Sequence, residues 1–500
     1  MLRSLPKARS DPQPRGRSDA DASARSRGIR LSHVWAVAAI AVPTAIVTAT
    51  PLVTVDLAYH VRAGEIMLDT HELLRTDVLT FSAGGNPWLN QQWAAQLVFG
   101  AAFGTGGWLA LAGLRSLLGG LVLGLVFLAC RGAGAPRRIA AWLTLGSAFV
   151  VVGFLQPRPQ LFGMVCFGAL LWLVATRHRK PARLWLAVPI TLLWANLHGT
   201  FFIAPLLLAL AWMRDRAQGD EGRGRVFLVG LATAAATLVN PFGARVWTYV
   251  WDISTNPLIR RSVEEWQPPS IRVYVGGAFF VSILAVAGYL ARRREAVDWP
   301  SLLGLGVFAV LGLTSLRGTV WWGMAAPVVL AGLEAGRERD PRPDPTSMLN
   351  VVLAAVLALL VVAGFGRWIP HSGEEPAGML VSSAPLTLTD RLEQELAPGQ
   401  RFFSAQVWGS WFELALPENP VFVDSRFEVI PRAAWEDYYA VSYGREGWQE
   451  VLKRWDISVV AVSRDYQGDL LPLISRDPGW RLVYQDGDGA IFVLARQLAA

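Results

Sequence analysis

Residues 107–156 decide the fold: GWLALAGLRSLLGGLVLGLVFLAC (107–130), RGAGAPRR (131–138) and IAAWLTLGSAFVVVGFLQ (139–156). A bilayer core of about 30 Å takes about 20 mostly apolar residues in a helix, and both long runs fit it. The octet between them holds Arg131, Arg137 and Arg138 around a Gly-Ala-Gly-Ala-Pro turn. Cytoplasmic loops of membrane proteins are enriched in Lys/Arg, so this reads as a membrane hairpin with its turn in the cytoplasm. Nine further apolar runs, at 34–53, 159–176, 183–196, 199–213, 226–240, 273–291, 299–316, 319–335 and 349–368, bring the expected spans to eleven. The break Asn196-Leu197-His198-Gly199 between two short runs reads as a tight turn at the membrane edge.

Composition agrees. Hydrophobic residues make up 53% and charged residues 17%, with a mean hydropathy of +0.34, too apolar for a soluble surface and incompatible with disordered, collagen-like or disulfide-scaffold chains. Cys130 and Cys166 both lie in apolar runs, so no disulfide framework or thiolate metal site follows. Charge divides the chain in three: residues 1–32 carry +5, 33–369 carry +10 and 370–500 carry −8. The first part reads as a disordered basic cytoplasmic tail and the second as the transmembrane domain. The basic character belongs to cytoplasmic loops, so no nucleic-acid partner is expected.

Loop charges test the span count. Loops with Arg131, Arg137 and Arg138; Arg177, Arg179, Lys180 and Arg183; Arg214, Arg216, Arg223 and Arg225; Arg292 to Arg294; and Arg337, Arg339 and Arg342 alternate with loops poor in Lys/Arg. With the basic tail, this sets the N-terminus inside, and eleven crossings leave residues 370–500 outside. The expected fold class is a mainly α-helical polytopic membrane protein, N-in/C-out, with a C-terminal extracytoplasmic α/β domain, in the plasma (inner) membrane. In that domain strands are expected at 401–405, 420–424, 457–463, 481–485 and 490–494, and helices at 408–416, 433–441, 447–455 and 469–475. Asp486-Gly487-Asp488-Gly489 is a strong hairpin-turn signal.

The most polar long outer loop runs from about Val53 to Gln92. Residues 56–69 suit an amphipathic helix, with Leu57, Val61, Ile66 and Met67 available to rest on the membrane surface, and 93–103 suits an apolar helix too short to span. Ionisable groups near membrane depth default to a functional reading. Asp56 shares a helix face with Tyr59, His60 and Ala63; a partly desolvated carboxylate there suits a general base toward a hydroxyl, while a plain helix N-cap is the bland alternative. Asp56 and His60 have i, i+4 ligand spacing, which leaves room for a divalent metal but supplies only two ligands. Arg62 and Glu65 read as an ordinary i, i+3 surface pair. Arg158, His198, Arg260 or Arg261, and Arg317 all lie near outer helix ends. Guanidinium groups match phosphate oxygens, so these residues converging on one cavity would suit an anionic lipid phosphate, against the alternative of snorkelling to the interface. Trp88, Trp93 and Trp266 suit stacking on sugar faces or interfacial anchoring. Asp424 and Arg426, at the end of an expected strand, are either a ligand site or a structural ion pair, and the ion pair is preferred.

Several motifs together resemble bacterial polytopic proteins of the glycosyltransferase C superfamily. They are Asp56 to Ile66, Thr76-Asp77, Phe81-Ser82, Pro87-Trp88, Gln92-Trp93, Arg158-Pro159-Gln160, Trp194 to Gly199, Asn240-Pro241-Phe242-Gly243, Glu265-Trp266-Gln267 and Arg317, with Val407-Trp408-Gly409, Val421 to Arg426 and Asp477 to Trp480 in the C-terminal part. The resemblance implies an integral-membrane transferase with a polyprenyl-phosphate-linked sugar as donor and an acid of the first outer loop, here Asp56, at the catalytic centre. Many members of the superfamily have two adjacent acids in this loop, whereas Asp56 stands between Val55 and Leu57. The expectation is hexosyl or pentosyl transfer to a cell-envelope glycan, lipid or protein. Asp56 would be catalytic, with His60, Arg62, Glu65, Trp88, Arg158, His198, Arg260, Glu265, Trp266 and Arg317 binding substrate. The rival expectation is a non-catalytic membrane protein that binds or transports a lipid-linked glycan or polymer.

Overall fold

In the computed structural model, residues 29–293, 297–335, 344–366, 368 and 381–495 are described. The tail expected at 1–32 therefore lies outside them up to residue 28, as do Arg294, Arg337, Arg339 and Arg342. Each of the eleven apolar runs contains a helix, beginning with α1 (Leu31–Thr48). Among the described residues six helices are long and apolar enough to cross a membrane: α1, Trp93–Ala133, Arg137–Phe154, Pro159–Thr176, Tyr274–Arg292 and Met348–Gly366. The remaining runs hold shorter helices, such as Ala187–Leu197 and Ile203–Ala217, each preceded by a 3-10 turn.

The first and last of these helices run parallel. A short antiparallel pairing of Ile29–Arg30 with Thr346–Ser347 joins their starts. A parallel pairing of Leu52–Val53 with Val381–Ser382 joins the chain beyond their ends. Asn350 donates its side-chain amide to the Ile29 carbonyl at 2.9 Å, and Trp368 Nε1 donates to the Thr48 carbonyl at 2.7 Å. The basic loops meet at one end of the bundle: Arg177 pairs with Asp215, Arg214 with Asp298 and Arg293 with Glu334.

At the opposite end lies α2 (Thr54–Thr70). Leu57, Val61 and Met67 are buried, against protein rather than a membrane surface, which corrects the expected lipid-facing role. The reason is a close crossing with the helix that starts at Trp93, where Gly64 meets Gly100: a Cβ on Gly64 would lie 2.0 Å from the Gln96 carbonyl oxygen, and one on Gly100 2.7 Å from the Gly64 carbonyl carbon. Only residues without a Cβ let backbones approach so closely. The Trp93–Ala133 helix leaves helical geometry at Gly106 and Gly107, the latter with φ 56°, which separates the short apolar segment expected at 93–103 from the long one that follows.

Residues 381–495 form an α/β region on this end. Its four-stranded sheet has the order β1 (Phe402–Ser404), β2 (Val459–Ser463), β4 (Gly489–Leu494), β3 (Trp480–Gln485). β1 and β2 are parallel and the other pairs antiparallel, with the expected Asp486–Gly489 turn closing the β3–β4 hairpin. Residues 420–424, expected as a strand, do not join this sheet. They pair instead with the first outer loop: Phe81 N–H donates to the Val421 carbonyl at 2.9 Å, Val421 N–H to the Leu79 carbonyl at 3.3 Å, and the Ser82 hydroxyl to the Phe422 carbonyl.

Candidate active site

Eight of the eleven expected site residues line one cavity of about 800 Å³ between the helical bundle and the α/β region: Asp56, His60, Arg158, His198, Arg260, Glu265, Trp266 and Arg317. Helix starts and tight turns carry them there. Asp56 sits in the first turn of α2, whose N-cap residue is Val53; it is therefore not the cap, and its charge suits the positive end of the helix dipole. Arg158 is the N-cap residue of Pro159–Thr176, with Pro159 opening that helix. His198 ends Ala187–Leu197. Arg317 occupies a 3-10 turn capped by Ser315, and the Leu316 N–H donates to the Gln267 carbonyl at 2.8 Å, which holds the Glu265-Trp266-Gln267 stretch beside it.

These groups form a chain of alternating charge. Arg158 Nε lies 3.3 Å from Asp56 Oδ2. The same guanidinium pairs with Glu265 Oε1, and Glu265 Oε2 accepts from Arg317 Nε at 2.7 Å. Arg317 also lies over the Trp266 ring, 5.5 Å from its centroid. Burial works to raise the Glu265 carboxyl, but Arg317 and Arg158 outweigh it and hold it down, to about 2. The histidines move the other way from a cationic role. Burial, then Arg158, pushes His60 well below the usual imidazole range, and burial, then Arg317, pushes His198 down to about 3. His198 Nδ1 lies 2.8 Å from the Thr200 hydroxyl and 3.4 Å from the Thr200 N–H, and the neutral ring carries one N–H donor.

The motif residues around the cavity interlock as its rim. Gln91 donates to the Ala195 carbonyl at 2.8 Å, Trp93 Nε1 donates to Asn196 Oδ1 at 3.1 Å, and Asn196 donates to the Val239 carbonyl at 3.0 Å. Trp93 thus ties the start of its helix to the Asn196 turn, and it is not among the described residues that line the cavity.

Three expected residues stand elsewhere. Arg62 and Glu65 pair with each other at 3.5 Å, the bland reading of that spacing. Trp88 is buried, with the Arg426 guanidinium 4.5 Å from its ring centroid. Asp424 and Arg426 are the structural pair preferred from sequence, enlarged by residues the sequence did not join to them. Arg426 Nη2 lies 2.7 Å from Asp77 and 3.7 Å from Glu413, and Nε pairs with Asp424, all without solvent exposure. Burial, then the Asp424 charge, raises the Glu413 carboxyl well above the usual range, and Arg426 is the cation that faces all three acids.

Sequence reasoning missed Tyr249, Gln406, Ser425 and Glu428 on the cavity wall. Tyr249 lies on the helix Arg245–Thr255 inside the second outer loop, where nothing local marks it. Glu428 follows Arg426 by two residues, the one available signal. As for a metal, both carboxylates of the charge chain are engaged by guanidinium groups, and the one metal-like His/Asp trio among the described residues, His178, Asp215 and Asp220, belongs to the basic end.

No family model and no curated protein matches the chain. Among solved structures, ArnT from Cupriavidus metallidurans in the apo state aligns with TM-score 0.51 and 15% identity over 93% of this chain and 98% of that one. The same ArnT bound to undecaprenyl phosphate gives 0.48 and 13% over 91% and 97%. Arabinofuranosyltransferase AftD from Mycobacteria gives 0.53 and 16% over 93% of this chain; the chain spans 42% of AftD's length. At these identities the likeness is one of fold alone.

Proposed function

We propose that this chain is an integral-membrane glycosyltransferase that moves a hexosyl or pentosyl group from a polyprenyl-phosphate-linked donor to an extracytoplasmic cell-envelope acceptor. The observation that carries this reading is the joining of Asp56 to Arg158, Glu265 and Arg317 in one cavity. Asp56 orients and deprotonates the acceptor hydroxyl, whose oxygen attacks the anomeric carbon. The bond from that carbon to the lipid phosphate breaks, and configuration inverts in the single displacement. Negative charge growing on the leaving phosphate is met by preorganised donors: Arg158, Arg317 and Arg260 as cations, and His198 as a neutral N–H. No step is routed through a metal: among the described residues Asp56 and His60 belong to no group of three metal-ligating side chains.

The topology follows the same reading. An odd number of crossings requires the first and last spans to run parallel, and α1 and Met348–Gly366 do. The end holding the basic loops is assigned to the cytoplasm, which puts the cavity and the α/β region outside the plasma membrane.

The test is glycan and glycolipid profiling of the native host carrying Asp56→Asn, with the protein's membrane abundance measured in parallel. Loss of one defined glycan at unchanged abundance is the expected result. An unchanged profile, with a phenotype only on full deletion, would replace catalysis by the binding or transport reading.

A further inference from the structure

Where the main cavity meets the α/β region, Tyr249 and Glu428 form a boundary: the phenol donates to Glu428 Oε1 at 3.3 Å. Beyond them lies a second space of about 210 Å³, and Tyr249, Ile253 and Glu428 line both spaces. Trp88, Asp252 and Asn256 complete the polar and aromatic part of the smaller one. The two spaces differ in charge. Arg158, Arg260 and Arg317 line the main cavity together with Glu264 and Glu265, whereas Asp252 and Glu428 line the smaller space with no Lys or Arg among its described lining residues. Asp56 lines the main cavity beside Arg158.

We propose that the smaller space is an acceptor subsite for a neutral glycan, holding the sugar ring next to the one whose hydroxyl Asp56 activates. The proposal rests on the transferase reading for what happens at Asp56, but not for what binds beyond Tyr249. Carboxylates accept hydrogen bonds and cannot donate them when ionised, so Asp252 and Glu428 call for a ligand rich in hydroxyl donors and repel a phosphate. The phosphate is thereby confined to the arginines of the main cavity, and the acceptor reaches Asp56 from the smaller space. The space is smaller than the ~300 Å³ lower bound of ordinary ligand pockets, which suits one ring rather than a lipid chain. Trp88 supplies an apolar wall, with the Arg426 guanidinium 4.5 Å from its ring centroid, and Asp252 is exposed, which leaves the remainder of a chain free to extend into water.

The chain's own chemistry permits a direct test. Cys130 and Cys166 are buried, so in full-length Asp252→Cys a thiol-directed benzophenone labels position 252 alone. Irradiated in membranes of the native host and digested, this variant is expected to give a peptide adduct with hexose or pentose masses, several-fold above the same label at Thr314→Cys in the main cavity. Adducts at 252 made only of acyl chains or protein, or no carbohydrate adduct, overturn the subsite. A second variant guards against a label that blocks the space: Glu428→Gln should lower sugar transfer at least tenfold while polyprenyl phosphate binding stays within twofold, and an equal fall in both counts against the proposal. A carbohydrate adduct in a host whose glycans survive Asp56→Asn would remove the transferase reading and leave the glycan site. Loss of glycan with Asp56→Asn but no adduct would do the reverse.

Discussion

Replacing Arg426 by Met removes the one cation among three buried acids. Asp77 and Asp424 are 1% and 0% exposed and both pair with this guanidinium, with Glu413 3.7 Å from it. Stripping one partner from a buried ion pair costs about 3–5 kcal/mol, and here one deletion orphans two carboxylates. They can escape by taking up protons, but holding one aspartate neutral at pH 7, about three units above its ordinary value, costs about 4 kcal/mol at ~1.4 kcal/mol per unit. The expected loss is therefore about 5 kcal/mol or more, comparable with the whole stability of many domains. It falls where Asp77 ties the first outer loop to the α/β region, so the loop should open locally before the bundle unfolds. Limited proteolysis and hydrogen exchange of residues 72–92 in the purified full-length protein report this directly. Arg426→Met should be cut far faster than wild type at pH 7. Adding Asp77→Asn and Asp424→Asn to Arg426→Met should restore most of the protection, because neutral groups do not need the cation. Wild-type protection in the single variant, or no recovery in the triple one, would refute the account.

Three further outcomes can be measured. Gly64→Ala should lower the thermal stability and membrane abundance of the protein, because its Cβ meets the Gln96 carbonyl at 2.0 Å; Gly104→Ala, with nothing within 4 Å, is the control, and equal behaviour of the two would contradict the close crossing. Glu265→Gln removes the charge that neutralises Arg158 and Arg317, so polyprenyl phosphate should bind about tenfold tighter, or ~1.4 kcal/mol, whereas Arg317→Gln should weaken it; weaker binding to Glu265→Gln would show that the carboxylate orients the arginines instead of competing with the ligand. Acid should destabilise the fold. His60 and His198 are held below their unfolded value of about 6.5, so the unfolded chain binds more protons below that pH and stability falls as pH drops toward the folded value, about 3 for His198. Glu265, lowered to about 2, adds a loss of the same sign below about 4.5. Melting temperature followed from pH 8 to 4 should be level above about 7 and decline below 6; a rise on acidification would reverse the assignment of neutral histidines.

The sequence by itself determined what depends on local pattern. Apolar runs long enough to bury a helix's backbone hydrogen bonds, basic loops in alternation, and the Asp486–Gly489 turn are short-range signals, and the helices, the basic end and the β3–β4 hairpin followed them. Asp56, Arg158, His198, Arg260 and Arg317 were legible as ionisable residues near outer helix ends, where such groups are costly without a role, and Glu265 and Trp266 through the Glu265-Trp266-Gln267 motif. Tertiary structure alone decided which of them meet: Arg158 finds Glu265 across 107 residues, and Glu265 finds Arg317 across 52. It also turned α2 away from lipid through the Gly64–Gly100 contact, gave residues 420–424 to the first outer loop instead of the sheet, set Trp88 against Arg426, and brought Tyr249 and Glu428 to the cavity. The physical reason is one of range. Hydrophobic period and turn chemistry act between neighbours in the chain, whereas ion pairing and close packing act through space, and their partners are known only once the chain has folded.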